Sequence, residues 1–508
     1  MSRVRSHTVS RTLPALAALA AALLLAGCAN LAPSYQRTDA PVPATFAQAG
    51  ATPAGTADAT LTASATTALP DWQALVREPR LRQTIALALD HSRSLRLAVL
   101  AIEQARTSAG IADAARLPTV TANGAQAASG TPALASSSGQ AVRTRSYSAN
   151  LGVSAFELDF FGKARNLSDA ALETLLSTEA AQASTRLTLV ADVASAWLTL
   201  AADQAQLALA RATLDSQTRT HDTTLRRQQL GADSALAEAQ ARTALEAARR
   251  DVAAYETQVQ QDRNALRLLV GAELPEALLP DAPLPAAAAP DMPGTPGTPT
   301  AEATALVAVP ADLPSEVLRR RPDVLAAEHA LKAAHADIGA ARAALYPSIR
   351  LTGAAGTASR HLGELFQAGA WSFAPSISLP VFDGGAARAG VRAAELARDA
   401  QLASYERTLQ TAFREVADAL ALRAGLAARQ QAQDALVDAA RRSLDLASAR
   451  WQGGAASFLD VLDAQRTLYA AQQAQITLRL AEQGNRLTLY KALGGAASDT
   501  EPAVSKSS

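Results

Sequence analysis

Between residues 187 and 201, apolar side chains recur at steps of three and four: Leu187, Val190, Ala194, Trp197 and Ala201. That spacing sets them on one face of an α-helix. Leu189, Val193, Ala196 and Leu200 mark a second seam, about 200° round the same helix. Two opposed seams predict neighbours on both flanks, with polar residues between. The helix is also predicted to be long. Residues 163–230 contain no glycine and no proline, and residues 386–452 contain no proline and only Gly390 and Gly425. A run of that length spans roughly 100 Å, more than a compact globular domain accommodates.

Ahead of each long run the period changes from 3.6 to two. In 370–380, Trp371, Phe373, Pro375, Ile377 and Leu379 alternate with Ser372, Ala374, Ser376 and Ser378. In 146–156, Tyr147, Ala149, Leu151 and Val153 alternate with Ser146, Ser148, Asn150 and Ser154. Both read as strands. The segments 118–126 and 347–353 supply weaker partners, which gives two hairpins, 118–160 and 347–382, closed by loops at 130–141 and 357–368. A membrane-spanning strand needs about 9–11 residues, and these are long enough. Bilayers tolerate no open sheet edge, and the smallest membrane barrels have about eight strands. Four strands therefore cannot close alone: either several chains share a barrel, or the strands form a small soluble sheet capping the helices.

The chain repeats itself. Gly231 and Gly454 stand in related surroundings, "RQQLGADSALAEAQARTAL" and "RWQGGAASFLDVLDAQRTL", 223 residues apart, and that offset also pairs Gly162 with Gly385 and Gly271 with Gly494. Upstream, "GIADAARLP" ending at Pro118 matches "GAARAALYP" ending at Pro347, now 229 apart. The domain organisation follows: a signal segment at 1–27, an extended segment at 28–70, a first repeat at 71–274, a Pro/Ala-rich linker at 275–314, a second repeat at 315–495 and a disordered tail at 496–508. Within the repeats, 79–117, 232–270, 316–345 and 455–493 are the remaining helices.

The chain is 49% hydrophobic but 4% aromatic, with a formal charge of zero. Small side chains let helices approach closely, and nothing in the charge makes a case for nucleic acid. Cys28 is the only cysteine, which excludes an intrachain disulfide and a cysteine metal cluster. It follows Arg3, Arg5 and Arg11 and an apolar run from Leu13 to Ala26 that is too short for a membrane helix and has the layout of a secretory signal. Leu25-Ala26-Gly27-Cys28 resembles a bacterial lipobox, which implies cleavage before Cys28 and acylation of its thiol; with Ala29 following, the resemblance implies the outer membrane. Two or more acyl chains make a stable tether. No cofactor is expected beyond that covalent lipid.

Five stretches carry a wider resemblance: "DWQALVREPRLRQTIALAL" (71–89), "FELDFFGKARN" (156–166), "LPSEVLRRRPDVLAAEHAL" (313–331), "FAPSISLPVFDGG" (373–385) and "SFLDVLDAQRTL" (457–468). In this order, within a duplicated frame, they resemble the TolC-like outer-membrane factors, specifically the NodT-type efflux lipoproteins. The stretch at 47–69 and the linker near 285–305 are longer than the family pattern. The resemblance implies a homotrimer in which four strands per chain close a twelve-stranded β-barrel that continues into a periplasmic α-barrel tunnel. It implies an exit duct for small molecules, coupled through a periplasmic adaptor protein to an inner-membrane efflux transporter. Tyr147, Leu151, Val153, Trp371, Phe373 and Ile377 would face outer-membrane lipid. The turns, with Gly231, Ser234, Gly454 and Ser457, would dock the adaptor.

Leu459 and Asp463 are four apart on one helix face, and the resemblance matches them to apolar and acidic rings of a periplasmic gate. Asp460 belongs either to that gate or to a capping box with Ser457. The first repeat has Leu236 but Ala237 and Gln240 nearby, so the acid is not duplicated. Arg319, Arg320 and Arg321 suit a helix-flanking ion-pair site or a basic lumen cluster. His329 and His335, six apart, point about 120° apart on a helix and are a poor metal pair; no metal site is expected. No nucleophile, base and orienter occur together, and no phosphate-loop pattern is present, so an enzyme is not expected. The competing readings are a lipid-anchored periplasmic coiled-coil protein without a pore and the outer-membrane component of a protein secretion system.

Overall fold

The computed structural model describes residues 30–38, 41–43, 45–46, 71–137, 139–280, 305–307 and 314–495. Cys28, most of the 281–313 stretch and the tail 496–508 lie outside the described residues. Beyond a single turn at Trp72–Leu75, the α-helices are α1 (Pro79–His91), α2 (Arg93–Ala114), α3 (Lys163–Gln229), α4 (Ala235–Val270), α5 (Pro322–Ala343), α6 (Ala386–Gln452) and α7 (Phe458–Ala492). The strands are β1 (Val120–Thr131), β2 (Val142–Leu158), β3 (Ser348–Ser359) and β4 (Gly369–Ser378). The two long helices, α3 and α6, have 67 residues each.

The chain divides into two compact units that cut across the sequence repeats. One comprises Met1–Asp39, Ala101–Glu179 and Ala326–Tyr405; the other comprises Ala40–Leu100, Ala180–Leu325 and Glu406–Ser508. Each unit therefore takes equivalent stretches from both repeats, so a repeat is not a separate compact body.

The first unit holds one antiparallel sheet in the order β1-β2-β3-β4. A strap formed by residues 30–38 lies on α5. Tyr35 donates to Glu328 at 3.2 Å, Arg37 pairs with the same carboxylate, and the Lys332 ammonium sits 5.4 Å from the Tyr35 ring centroid. Burial would push the Glu328 carboxyl up, but Arg37 and Lys332 override it and hold the group below the ordinary carboxylate range.

In the second unit, α3 is buried more widely than two seams require. Leu189, Val193 and Leu200 of one seam and Val190, Ala194, Trp197 and Ala201 of the other are buried, but so are Ala191, Leu198 and Ala202 between them. Alanine is what permits this, because helices can then close in around most of the circumference. The helix expected over 79–117 is broken at Ser92, which is extended at φ −60° and ψ 126°. A residue far along the chain packs against the break: Gly271, left-handed at φ 74° at the end of α4, where a Cβ would stand 2.7 Å from the His91 carbonyl oxygen. The segment expected as helix over 316–345 opens with a 3-10 turn, Ser315–Arg320, before α5 starts at Pro322, a residue suited to a helix's first position.

The linker is not wholly extended either. Leu278 accepts from the Trp197 indole at 3.0 Å, and Leu279 is buried. Residues 305–307 form a β-bridge to Val76, with Leu306 fully buried and its carbonyl accepting from Arg486 at 2.7 Å. Arg321 is itself buried: it donates to the Ala492 carbonyl at 2.6 Å, to Asp323 at 2.8 and 3.0 Å and to Glu415 at 2.9 Å. For Arg321 this is the ion-pair role, at the start of α5 and the end of α7.

Candidate functional site

Strand register decides what each face of the sheet presents. Across the four strands, Val120, Val153, Gly353 and Phe373 form one row, and Ala122, Leu151, Ala355 and Trp371 form the next. Tyr147 and Ile377 lie on the same face. All six candidate lipid-facing residues therefore share one side of the sheet. Leu151, Trp371, Phe373 and Ile377 are 61–81% exposed, whereas Tyr147 and Val153 are half-buried. The rows between carry small and polar groups: Thr121, Gly152, Ala354 and Ser372, then Asn123, Asn150, Gly356 and Ala370. Towards the β1–β2 turn the same face becomes polar, with Gln126, Arg145 and Arg143; over the rest, an apolar face backed by a small polar face is the arrangement of a membrane barrel wall.

A bulge extends the apolar face beyond what alternation shows. Between Val153 and Phe156, β2 advances three residues while β3 advances two. The extra residue reverses the side-chain parity, so Phe156 and Leu158 join the side of Val153, opposite Leu351 and Ile349. Ala155 takes the left-handed conformation at φ 54° that the bulge needs, and its N–H donates to Thr352 Oγ1 at 3.1 Å.

The second locus is the pair of helix turns. At Gly231 the Ala232 N–H reaches the Arg227 carbonyl at 2.8 Å; at Gly454 the Ala455 N–H reaches that of Arg450 at 2.8 Å. Both glycines are left-handed, at φ 74° and 73°, so the two turns are copies of one helix-ending motif. Ser234 caps α4 by accepting from the Ala237 N–H at 3.1 Å. At α7, the Asp460 carboxylate accepts from both the backbone N–H and the hydroxyl of Ser457, each at 3.1 Å. Asp460 thus serves the cap.

Leu459 and Asp463 are both exposed, as is the counterpart Leu236. Beneath them Ala237, Ala241, Phe458, Val461 and Leu462 form a buried cluster, flanked by Trp451. The Trp451 and Phe458 rings stand 5.3 Å apart, and the Arg227 guanidinium lies 5.0 Å from the Trp451 centroid while pairing with Asp233 at 2.9 Å. Sequence reasoning missed this cluster. Its available signal was Trp451 and Phe458 bracketing the Gly453-Gly454 turn, where the first repeat has Gln228 and Ala235.

Further from the turns, α3, α4 and α7 share polar contacts. Tyr469 donates to Asp251 at 3.4 Å and Gln473 to the Tyr255 hydroxyl at 3.0 Å. Burial, together with Asp262 beside it, pushes the Asp203 carboxyl up to about 7. His329 and His335 serve separate partners: His329 Nδ1 is 2.7 Å from Glu173, and the His335 ring meets Tyr35 edge-on at 5.5 Å.

Comparison with known proteins gives this architecture a family. Residues 84–272 and 313–495 match the family described as Outer membrane efflux protein. The chain is 42% identical over 476 residues to the probable efflux pump outer membrane protein TtgC of Pseudomonas putida, covering 93% of this chain and 94% of that one. It is 37% identical over 478 residues to the cation efflux system protein CusC of Escherichia coli, covering 93% and 97%. The solved structure of CusC superposes with a TM-score of 0.78 at 36% identity, over 92% of this chain and 99% of that one. The open-state outer membrane channel MtrE of Neisseria gonorrhoeae gives 0.77 at 35% identity, over 92% and 98%. A wall-like sheet joined to long helices, in a chain this similar to outer-membrane channels along nearly its whole length, has one reading: the chain belongs to the outer membrane efflux protein family and forms an outer-membrane exit channel for efflux, extending into the periplasm.

Proposed function

We propose that three copies close a twelve-stranded barrel and that the resulting duct passively carries small molecules outward, delivered by an inner-membrane transporter through a periplasmic adaptor protein. The observation that carries this reading is the sheet itself: a face that is apolar over most of its rows, one small polar face, and two edges, β1 and β4, each lacking a second neighbour among the described residues. Hydrocarbon does not tolerate such edges, so the strands must be completed by other copies. A coiled-coil protein without a pore would have no reason to expose Trp371, Phe373 and Ile377 on one face. Acyl chains on Cys28 would tether each copy to the outer membrane, a few residues ahead of the strap that Glu328 holds. The turns at Gly231 and Gly454, capped by Ser234 and Ser457, are the docking surface for the adaptor.

Leu459 and Asp463 form the periplasmic gate. Both are exposed on α7, and Asp463 makes no ion pair among the described residues, so its charge is free to act on permeating ions. Asp460 is occupied by its cap and sits outside the gate proper. Relatives at comparable identity are named for toluene and for cation efflux, which supports a channel whose cargo is chosen by its transporter. The test is single-channel conductance of the acylated protein in planar bilayers. Wild type should give low-conductance, cation-selective openings, and Asp463→Ala wider and less selective ones. Silence of both, from protein shown to be trimeric, would remove the duct reading; equal conductance and selectivity would remove Asp463 from the gate.

A further inference from the structure

Past its apolar rows, the outward face of the sheet ends in charge. From Ile349, opposite Leu158, to Ser359, opposite Tyr147, β3 advances ten residues. At about 3.4 Å per residue and a strand tilt of about 40°, that is a height of about 26 Å, and the apolar band of a membrane barrel is about 25 Å tall. Over that height β2 turns Leu158, Phe156, Val153, Leu151 and Ala149 outward and closes with Tyr147, an aromatic residue of the kind that marks a membrane interface. The next two outward positions are Arg145 and Arg143, opposite Ala128 and Gly130 of β1.

This end of the sheet is the external one. Val120 and Leu158 adjoin α2 and α3, so the Thr131 and Val142 end of the hairpin lies furthest from the helices, which extend into the periplasm. Arg145 therefore stands about 5 Å beyond the hydrocarbon and Arg143 about 10 Å. The headgroup layer is about 5–8 Å deep on each side, so Arg145 falls within it, and the long side chain of Arg143 can reach back into it.

Both arginines are exposed and pair with no carboxylate among the described residues. Their neighbours on β1 are a methyl group and a hydrogen, so neither guanidinium is obstructed, and Gln126, opposite Tyr147, adds an amide on the same face. On the pore side, the same stretch of β1 and β2 carries hydroxyls instead, with Ser129 and Thr144 bonded to each other at 2.6 Å. The charge is thus turned to the lipid and away from the cargo. Pairing in the second hairpin ends lower, at Thr357 with Gly369.

We infer that Arg143 and Arg145 bind the phosphate groups of an anionic glycolipid in the outer leaflet, one site per copy. A planar guanidinium takes a phosphate bidentately, and two of them about 7 Å apart on flexible stems suit a lipid that bears more than one phosphate. The site rests on the proposed barrel, whose outer face this is.

The experiment is native mass spectrometry of the full-length trimer in detergent, titrated with diphosphoryl lipid A, with the same lipid dephosphorylated, and with inorganic phosphate. Wild type should bind up to three diphosphoryl lipids per trimer, more weakly as salt rises, and should retain neither the dephosphorylated lipid nor free phosphate at equal concentration. Arg143→Gln with Arg145→Gln should weaken binding at least about tenfold. Arg249→Gln with Arg250→Gln, which removes the same charge from α4, should not. Arg143→Lys with Arg145→Lys keeps the charge without the planar fork and should fall between wild type and the Gln variant. Equal affinity of wild type and the Gln variant, or equal binding of phosphorylated and dephosphorylated lipid, overturns the site while the trimer stands. If the Gln variant does not assemble, the Lys variant decides, and affinity equal to wild type overturns the site. Wild type that flies as a monomer overturns the barrel itself.

Discussion

Phe458→Ala tests whether the cluster under the turns holds the proposed gate shut. Phe458 is 5% exposed and packs on Val461, Leu462, Ala237 and Ala241, with the Trp451 ring 5.3 Å away. Ala237 and Ala241 belong to α4, whereas Phe458, Val461 and Leu462 belong to α7, so truncating the ring opens a void between the two helical hairpins. Removing a buried phenyl ring costs about 3–5 kcal/mol, and Trp451 loses its aromatic neighbour, worth about 0.5–1.5 kcal/mol beyond area. If opening separates α7 from α4, the open population should rise by at least about 100-fold. The assay is open probability in planar bilayers, with thermal unfolding measured alongside and Leu236→Ala, on an exposed neighbour, as the control. Phe458→Ala should unfold at lower temperature and open more often, and Leu236→Ala should leave unfolding unchanged. A variant that is destabilised but opens no more than wild type would refute the reasoning, because the two hairpins would then move as one body with their cluster intact.

Other consequences are more local. Asp460→Ala should lower stability by about 1 kcal/mol through loss of the cap on Ser457 and leave ion selectivity unchanged; altered selectivity with unchanged stability would return Asp460 to the gate. Ala155→Val should cost about 1–3 kcal/mol and reduce the yield of heat-resistant oligomer, since a β-branched residue resists φ 54°, whereas Ala155→Gly should be tolerated; equal yields would show that the bulge relaxes freely. The Asp203 carboxyl, pushed up from 3.8 to about 7 by burial and Asp262, holds a proton in the folded state that the unfolded chain has already released. Its contribution is therefore fully present below about pH 4, falls as pH rises through that window and is gone above about pH 7. Asp203→Asn should flatten the urea-midpoint profile between those limits, and an unchanged slope would place the titration elsewhere.

What the sequence made legible was whatever depends on local rules. Residues 163–230 lack glycine and proline, 386–452 lack proline and hold only two glycines, and α3 and α6 occupy them to within a residue. Alternation from Trp371 to Leu379 announced β4 because the strand has no bulge. In β2 the same rule stops at Val153, because one inserted residue reverses parity and Ala155, unlike glycine, gives no sign of a left-handed conformation. The break at Ser92 was illegible for a different reason: it contains neither proline nor glycine, and the residue packed against it, Gly271, lies at the end of α4. Leu306 shows the same limit. A lone leucine in a Pro/Ala-rich stretch carries no periodicity, and only the bridge to Val76 and the bond from Arg486 reveal that it is buried. At the turns, the spacing of Leu459 and Asp463 was readable on one helix, but the contact of Phe458 with α4 was not.

The two repeats have kept their backbone and divided their chemistry. Their turns make the same hydrogen bonds at Gly231 and Gly454, their hairpins share a register, and their long helices have equal length. Yet Trp451, Phe458, Asp460 and Asp463 stand where the first repeat has Gln228, Ala235, Ala237 and Gln240. Leu236 and Leu459 are common to both, as are the turn glycines and the capping serines. In the proposed trimer the backbone therefore repeats six times around the axis, whereas the acid and the aromatic pair occur three times. A constriction needs one ring of charge at one radius, and six acids crowded there would repel one another as the opening narrowed. In the proposed gate, the acid is thus confined to α7 of the second repeat, which Arg227 of α3 meets through Trp451.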